Sequence, residues 1–596
     1  MGSRAWLGLL ALSLAVRLLL WGWAVAAGLP PLFDEIGYLE RARGWADVAG
    51  AWLRLEAAAP EAFERAYGAG HWPPLQPLVL GLALALAGES GGVAAARLLG
   101  VLFSAATTPI VYRLGHELAG ARAAAIGALL HALAPAFLAY SHWLWAENLA
   151  LALGLAGVAC ALEARRRERE GAPGASPALR IAPLAGLCLG LAALARVALL
   201  PWALIILVWL AASSRRAAAA AGGAALLVLL PWVAVLHHEE DGRWLPLSTL
   251  GGYNLALGNH PAVPAEYGSS WGHEASKRAL HLQLREEAAR LGVPWQRVAG
   301  AAARRHIAER PAAALARAAQ RTRFLWAPDA FPPRHVLNAV YPPLPASAAL
   351  ALVALVLVVH GALLFCGVAG LIAARFRHRG LWIALVAASM LPPALTVSLT
   401  RLHLPIEALL LPVIGAFLAG GSRPRASAGF LAGALALAVS FSTVPKVAEL
   451  YWIPSAHYAP ALAAPARLVG ARMIYSDRLT LRKAASAAAM DLVLKTPGAR
   501  FAAPSGAPLV TEGGGEERLR WPAGRLEWTL DVHSVGPSPF ELEIRGARPG
   551  VSPPPILIRP VHEALWRSPK VLVMGAVPGD EFRVEIEWLG GGASPR

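Results

Sequence analysis

Cysteine is nearly absent. Only Cys160, Cys188 and Cys366 occur in 596 residues, each inside an apolar run, so no disulfide framework holds the exposed regions together. Charge is scarce too, at 15% against 56% hydrophobic residues, with a mean hydropathy of +0.49. A water-soluble globule of this length cannot hide that much apolar surface in its cores, so the bilayer must be part of the solvent. Negative charge is the scarcer sign: 38 acids against 54 Lys and Arg leave a formal charge of +16. The arginines sit mostly in short loops between apolar runs rather than on one basic face, which speaks for topology signals and against a nucleic-acid partner. No internal repeat is visible, and nothing resembles a metal-ligand set, so no metal and no cofactor is expected.

What the sequence does have is apolar runs, eleven of them: Trp6–Ala27, Val93–Tyr112, Ala123–Tyr140, Leu149–Leu162, Pro183–Ala195, Ala198–Ala212, Ala217–Leu236, Ala346–Ala374, Leu381–Val397, Leu404–Gly420 and Ala428–Val444. Several approach the roughly 20 residues that cross a bilayer, and the shorter ones can borrow their polar flanks. The first has the outline of a secretory signal, with Arg4 ahead of it and Ala24–Ala27 at its end. It is longer than the usual apolar core of about 7–15 residues and Arg17 interrupts it, so it reads as a span.

Positive charge sets an expected orientation. The groups at Arg4, Arg113 with Arg122, Arg165 to Arg169, Arg215 with Arg216, Arg375 to Arg379, and Arg423 with Arg425 all fall on one side if about eleven helices alternate from a cytoplasmic N-terminus. This requires Pro73–Ala87 to lie against the membrane without crossing it, which its ~15 residues and the prolines at 73, 74 and 77 permit. A multi-pass protein of a cell inner membrane is then expected, with residues 1–444 forming the transmembrane domain. Outer loops 28–92 and 237–345 are too long to be mere connectors, and the arginine-rich pattern from Val298 to Leu325 suits a helix lying along the membrane surface. Residues 445–596 change character: alternating runs at Leu526–Val532, Phe540–Ile544, Ile556–Ile558, Val571–Met574 and Phe582–Trp588 predict a small β-sandwich-like domain outside the membrane.

The sharpest polar feature is Phe33-Asp34-Glu35-Ile36-Gly37-Tyr38, just after the first span. Adjacent helical residues point about 100° apart, so Asp34 and Glu35 cannot both face one reacting atom. One is a candidate base and the other a cap or solvated group; a pair favoured by the helix dipole is the plainer alternative. A second acid, Glu147, follows Ser141-His142-Trp143-Leu144-Trp145-Ala146, where an interfacial aromatic belt is the competing explanation. Arg97, Arg196 and Arg401 with His403 stand at outward helix ends against the positive-inside trend. An anionic ligand such as a phosphate explains them, as does snorkelling to lipid headgroups. Arg17, inside the first span, is expected to pair with a buried acid or carbonyl.

These elements resemble the GT-C superfamily of polyprenyl-phosphate-sugar-dependent glycosyltransferases, in the branch of protein O-mannosyltransferases, aminoarabinose transferases and bacterial family 39-like enzymes. The matching residues are Asp34-Glu35 with Tyr38, His71-Trp72-Pro73-Pro74-Leu75, Arg97, Pro135 through Glu147, Gly186 to Arg196, Gly251-Gly252-Tyr253-Asn254-Leu255 with Gly258-Asn259, and Arg401 to Pro405. They run in family order over roughly the first 420 residues. The resemblance implies a mainly α, polytopic bundle with juxtamembrane helices. It gives Asp34 as, or orienting, the base, with Glu147 the acid of the second outer loop. It gives Arg401, with His403, as the region near the lipid phosphate, where Arg97, Arg196 and His71 are further candidates. Tyr38, Tyr253, Asn254 and Asn259 are the expected substrate contacts. Some relatives carry a lysine where this chain has Trp72, a departure for which His71 is the candidate substitute. The expected partners are the bilayer, a lipid-linked sugar donor, and a glycan, lipid or protein acceptor.

The expected reaction is transfer of a sugar from a polyprenyl phosphate to an acceptor on the extracytoplasmic face, with inversion. A transporter or flippase of a lipid-linked saccharide would use intramembrane arginines and aromatic belts equally well, although the long outer loops and the absence of repeats weigh against it. A membrane-anchored sensor built on the C-terminal domain is the third reading, for which so many spans are excessive.

Overall fold

The computed structural model describes residues 5–452 except 30, 32–33, 171–176, 241, 262, 264–273, 338–339, 343 and 421–425; beyond 452 it describes nine β-strands. Two compact units emerge. One comprises Met1–Gly268, Ala279–Pro332 and Leu352–Thr443; the other takes Val444–Arg596 together with the internal stretches Ser269–Arg278 and Pro333–Ala351.

All eleven apolar runs fall largely in helices. Among the described residues, seven helices are long and apolar enough to cross a membrane: Ala5–Ala26, Gly91–Ala119, Glu147–Arg169, Arg215–Glu239, Ala346–Ala373, Thr400–Leu418 and Ala426–Ala448. An eighth span arises if Ala121–Leu133 and Pro135–Ser141, bent by 54°, are one. The bend follows from Pro135, which donates no N–H and holds Ala134 extended at φ −65°, ψ 130°. Shorter apolar helices occupy Leu75–Gly88, Leu179–Ala195, Val197–Ala211 and Arg379–Leu395. The chain is a mainly α, multi-pass membrane protein.

Gly88 separates Leu75–Gly88 from the following span by leaving the helical conformation at φ 70°, ψ 172°. The shorter arm reaches only roughly 20 Å at 1.5 Å per residue, against a hydrocarbon core of about 30 Å. Arg17, fully buried in the first helix, meets the expectation of carbonyl partners. It donates to Ser104 Oγ (2.8 Å), Ser13 Oγ (2.7 Å), Ser13 O (3.3 Å), Ala132 O (3.1 Å) and His131 O (3.0 Å), spreading one charge over five acceptors and pinning three helices.

Small residues let backbones approach. Gly127 faces the Leu411 carbonyl and Gly415 faces the Ala123 carbonyl, so a Cβ at either would collide with the opposite helix. The Leu404–Leu418 helix is consequently buried along nearly its whole length. Between residues 239 and 337 lie the helices Gly251–Asn259, Glu274–Leu291, Trp295–Glu309, Pro311–Leu325 and Phe331–Leu337. Ala256, Leu257, Leu280, Leu284, Val298, Ala299 and Ala303 form a separate apolar core among them.

The strands of the second unit are β1 (Ile474–Arg482), β2 (Met490–Leu494), β3 (Arg500–Ala502), β4 (Leu509–Thr511), β5 (Glu517–Trp521), β6 (Glu527–Val535), β7 (Phe540–Arg545), β8 (Ile556–Ile558) and β9 (Glu585–Glu587). They form two antiparallel sheets, ordered β3-β6-β1-β9 and β4-β5-β2-β7-β8. The expected run Val571–Met574 lies outside the described residues, as do Leu526 of Leu526–Val532 and Phe582, Arg583, Val584 and Trp588 of Phe582–Trp588.

Candidate active site

Four charged residues from four distant parts of the sequence meet at helix ends. Asp34 opens the Asp34–Leu53 helix and Glu147 opens Glu147–Arg169, where the positive end of each dipole favours an acid. Arg196 sits in extended conformation (φ −152°, ψ 112°) between the Pro177–Ala195 helix and the 3-10 turn Val197–Leu199. Arg401 lies on the 3-10 turn Thr400–His403 that leads into Leu404–Leu418, with Pro405 in that helix's first turn.

Arg401 is the hub. Its Nη2 is ion-paired with Asp34 Oδ2, and its Nε stands 3.7 Å from Glu147 Oε1, the oxygen that also pairs with Arg196 Nη1. Two acids and two guanidiniums leave the group neutral, which makes so much charge bearable where three of the four side chains are largely buried. The guanidinium lies over the Trp145 ring at 4.4 Å and within 5.9 Å of the Phe331 ring, so its plane is held from the side. Nε is buried without a hydrogen-bond partner, which leaves one donor of the fork available. Asp34 is 32% exposed and Glu147 only 3%, so Asp34 is the acid that solvent can reach. Burial, together with Asp34 and Glu147, pushes the Tyr38 hydroxyl well above its usual range against the opposing pull of Arg196 and Arg401; it stays a phenol beside the cluster.

Glu35 turns the other way, as the 100° step requires. Its Oε1 accepts from the Leu144 N–H at 2.6 Å and faces Arg97 Nη1 at 3.3 Å. Arg97 also donates to His142 O (2.7 Å) and Leu29 O (3.3 Å). Both side chains are almost wholly buried, so the pair binds the first turn of the Asp34–Leu53 helix to the 142–144 segment and orients Asp34. His142, buried and beside Arg97, has its ring pKa lowered to about 3 and stays neutral.

The remaining predicted residues have the following partners and surroundings. His403 follows Arg401 by two residues, but its ring goes to Leu325 O (3.0 Å) and Glu407 (3.5 Å). Tyr253 packs edge-on to His281 and Trp295. Asn259 donates to Leu255 O and Leu395 O, both at 2.9 Å. Asn254 is half-buried on the same Gly251–Asn259 helix. His71 is half-buried, and its carbonyl accepts from Ser248 Oγ at 2.8 Å. Trp72, the departure from the lysine of some relatives, packs on Tyr38 (centroids 4.9 Å) and receives the Arg41 guanidinium at 4.3 Å.

The sequence did not single out Asp329. It is 1% exposed; its Oδ1 accepts from the Tyr140 hydroxyl (3.1 Å) and the Phe331 N–H (3.2 Å), and its Oδ2 has no hydrogen-bond partner. Burial, reinforced by Glu407, raises its pKa to about 7, so near neutrality a large share of it carries a proton. Through Tyr140 and Phe331 it braces the aromatic floor under Arg401. An acid amid the aromatic and proline residues of 324–333 was the one available signal.

No protein-family model matches the chain, and a search of curated proteins finds no match. Among solved structures, an archaeal oligosaccharyltransferase, AglB from Archaeoglobus fulgidus in complex with an inhibitory peptide and a dolichol-phosphate, is similar at TM-score 0.39 and 15% identity. That likeness covers 77% of this chain, which spans just over half (56%) of the archaeal protein. ArnT from Cupriavidus metallidurans bound to undecaprenyl phosphate is similar at TM-score 0.33 and 14% identity, over 87% of this chain and 98% of that one. Its apo form gives a TM-score of 0.29. At such low overlap the likenesses assign no activity, which has to be read from the residues themselves.

Proposed function

We propose that this chain is a membrane glycosyltransferase that moves a sugar from a polyprenyl phosphate to an acceptor on the extracytoplasmic face. The meeting of Asp34, Glu147, Arg196 and Arg401 carries the reading: one reachable carboxylate is paired with a guanidinium that shares a second, buried carboxylate with another guanidinium. That set suits a substrate with a lipid tail, an anionic group at the bilayer boundary and a proton to lose at the next atom.

The donor phosphate takes Arg401 and Arg196 as partners, using the unengaged Arg401 Nε and displacing Asp34 from Nη2. Asp34, released from its ion pair, accepts the acceptor's proton as its nucleophilic atom bonds to the anomeric carbon. The bond from that carbon to the phosphate oxygen breaks with its electron pair, and the departing charge is held by the two guanidiniums. A single displacement inverts the configuration. Glu147, tied to Arg196, keeps both cations in place throughout.

Asp34→Asn in purified protein tests the reading. Sugar release from a polyprenyl-phosphate donor should fall about 10²–10⁴-fold, the range of a lost general base, while the melting temperature stays near wild type. Full activity in the folded variant removes Asp34 as the base. Movement of the donor between leaflets without cleavage, in either protein, establishes a flippase instead.

A further inference from the structure

The Ala346–Ala373 helix and the start of Leu404–Leu418 bring three ligand-type side chains together inside the bundle: His360, His403 and Glu407. Each is buried, with exposures of 5%, 1% and 6%, and their nearest ligand atoms lie within 4.8 Å of one another. Ionisable groups within spanning helices are costly unless something compensates them. We propose that these three residues hold a divalent transition-metal ion, with zinc the best match to the set. The sequence suggests no metal, because two of the ligands are isolated residues in apolar runs. This site stands whether or not the chain transfers a sugar.

The hydrogen bonds on the far sides of the rings carry the inference. His403 Nδ1 is 3.0 Å from the Leu325 carbonyl, which can only accept, so Nδ1 bears the proton and Nε2 keeps its lone pair. That Nε2 faces Glu407 Oε1 at 3.5 Å and is buried without a hydrogen-bond partner. His360 Nε2 lies 3.3 Å from the Trp326 carbonyl and 3.2 Å from Ser440 Oγ, leaving Nδ1 toward the same Oε1 at 3.1 Å. Imidazoles anchored through one nitrogen to a carbonyl, with the other turned toward a carboxylate, are arranged as metal ligands are. Glu407 Oε2 is also buried and unpartnered.

Ligand atoms about 2.0–2.1 Å from a tetrahedral ion stand about 3.4 Å apart; the two separations from Glu407 Oε1, 3.1 and 3.5 Å, fall on either side of this, and all three ligand atoms lie within 4.8 Å of one another. Two imidazoles and one carboxylate favour zinc over magnesium or calcium, which take oxygen sets. Three protein ligands leave a fourth position open. Because His403 shares the 3-10 turn with Arg401, the ion would fix that turn from inside the bundle and so position Arg401. The competing arrangement needs no ion: the Ser440 hydroxyl donates to His360 Nε2, and His360 Nδ1–H donates to Glu407.

The test uses the full chain, purified in detergent without metal-affinity resin, loaded with zinc and desalted. About one zinc per chain should remain, and Glu407→Gln or His403→Ala should lower this to less than about a tenth. A strong chelator should reduce the melting temperature by several degrees, with zinc restoring it and magnesium failing to. Should the variants not fold, cobalt-loaded wild-type protein should show the intense visible absorption of a four-coordinate site, bleached by zinc. No retained metal and a melting temperature indifferent to chelator overturn the proposal in favour of the proton-only arrangement. Equal metal content in folded variants and wild type overturns it in favour of adventitious surface binding.

Discussion

Replacing Glu35 by glutamine separates the two adjacent acids that open the Asp34–Leu53 helix. The carbonyl of the introduced amide can still accept the Leu144 N–H, a bond made at 2.6 Å by the native carboxylate, so the loss is confined to the charge facing Arg97. Both partners are at most 4% exposed, and stripping one member from a buried pair costs roughly 3–5 kcal/mol because the other charge is left uncompensated. Arg97 retains His142 O at 2.7 Å and Leu29 O at 3.3 Å, which places the expected cost near the lower end, about 3 kcal/mol. Arg97→Gln should cost a similar amount. The double variant should cost less than the sum by about 1–3 kcal/mol, since both remove the same interaction. Equilibrium unfolding by titration with a denaturing detergent, following tryptophan fluorescence, reads all three. A Glu35→Gln protein as stable as wild type would refute the structural role. A stable but inactive one would move Glu35 into the reaction.

Arg401→Lys should lower sugar release about 10²-fold, because lysine offers a point charge without the fork or the stack on Trp145; a single-turnover assay reads this directly. Gly258→Ala should destabilise the protein strongly, since the new Cβ would strike the Thr396 carbonyl; thermal unfolding measures it. In chelator-treated protein, Asp329 gives stability a pH slope. Its folded pKa, about 7, lies above the ordinary aspartate value of 3.8, so the folded state holds the extra proton between these limits. The contribution of Asp329 to stability is then greatest below about pH 4, declines as pH rises to about 7 and levels off beyond it, by a few kcal/mol in all. Asp329→Asn should remove that slope and leave melting at pH 8 equal to or above wild type.

The apolar runs announced their helices because a stretch of some twenty uncharged residues has few other solutions in a bilayer, and the prolines near residue 75 marked a break in the same language, while the bend at Pro135 inside the run Ala123–Tyr140 came only with the structure. The sequence by itself also determined that Asp34 and Glu35 must diverge and that Arg17 needs buried acceptors, whereas for Asp34, Glu147, Arg196 and Arg401 it left caps, interfacial belts and snorkelling open beside a shared site. Which partners they have was decided by tertiary structure alone. A helix that is apolar all round carries no moment to say which face turns inward, so the rotation of Ala346–Ala373, and with it the aim of His360, is invisible in the pattern. Rotation is set where backbones come close, as at Gly127 against Leu411 and Gly415 against Ala123. Packing of that kind brings Arg401 to Asp34 across 367 residues and turns His403 away from it, toward Glu407.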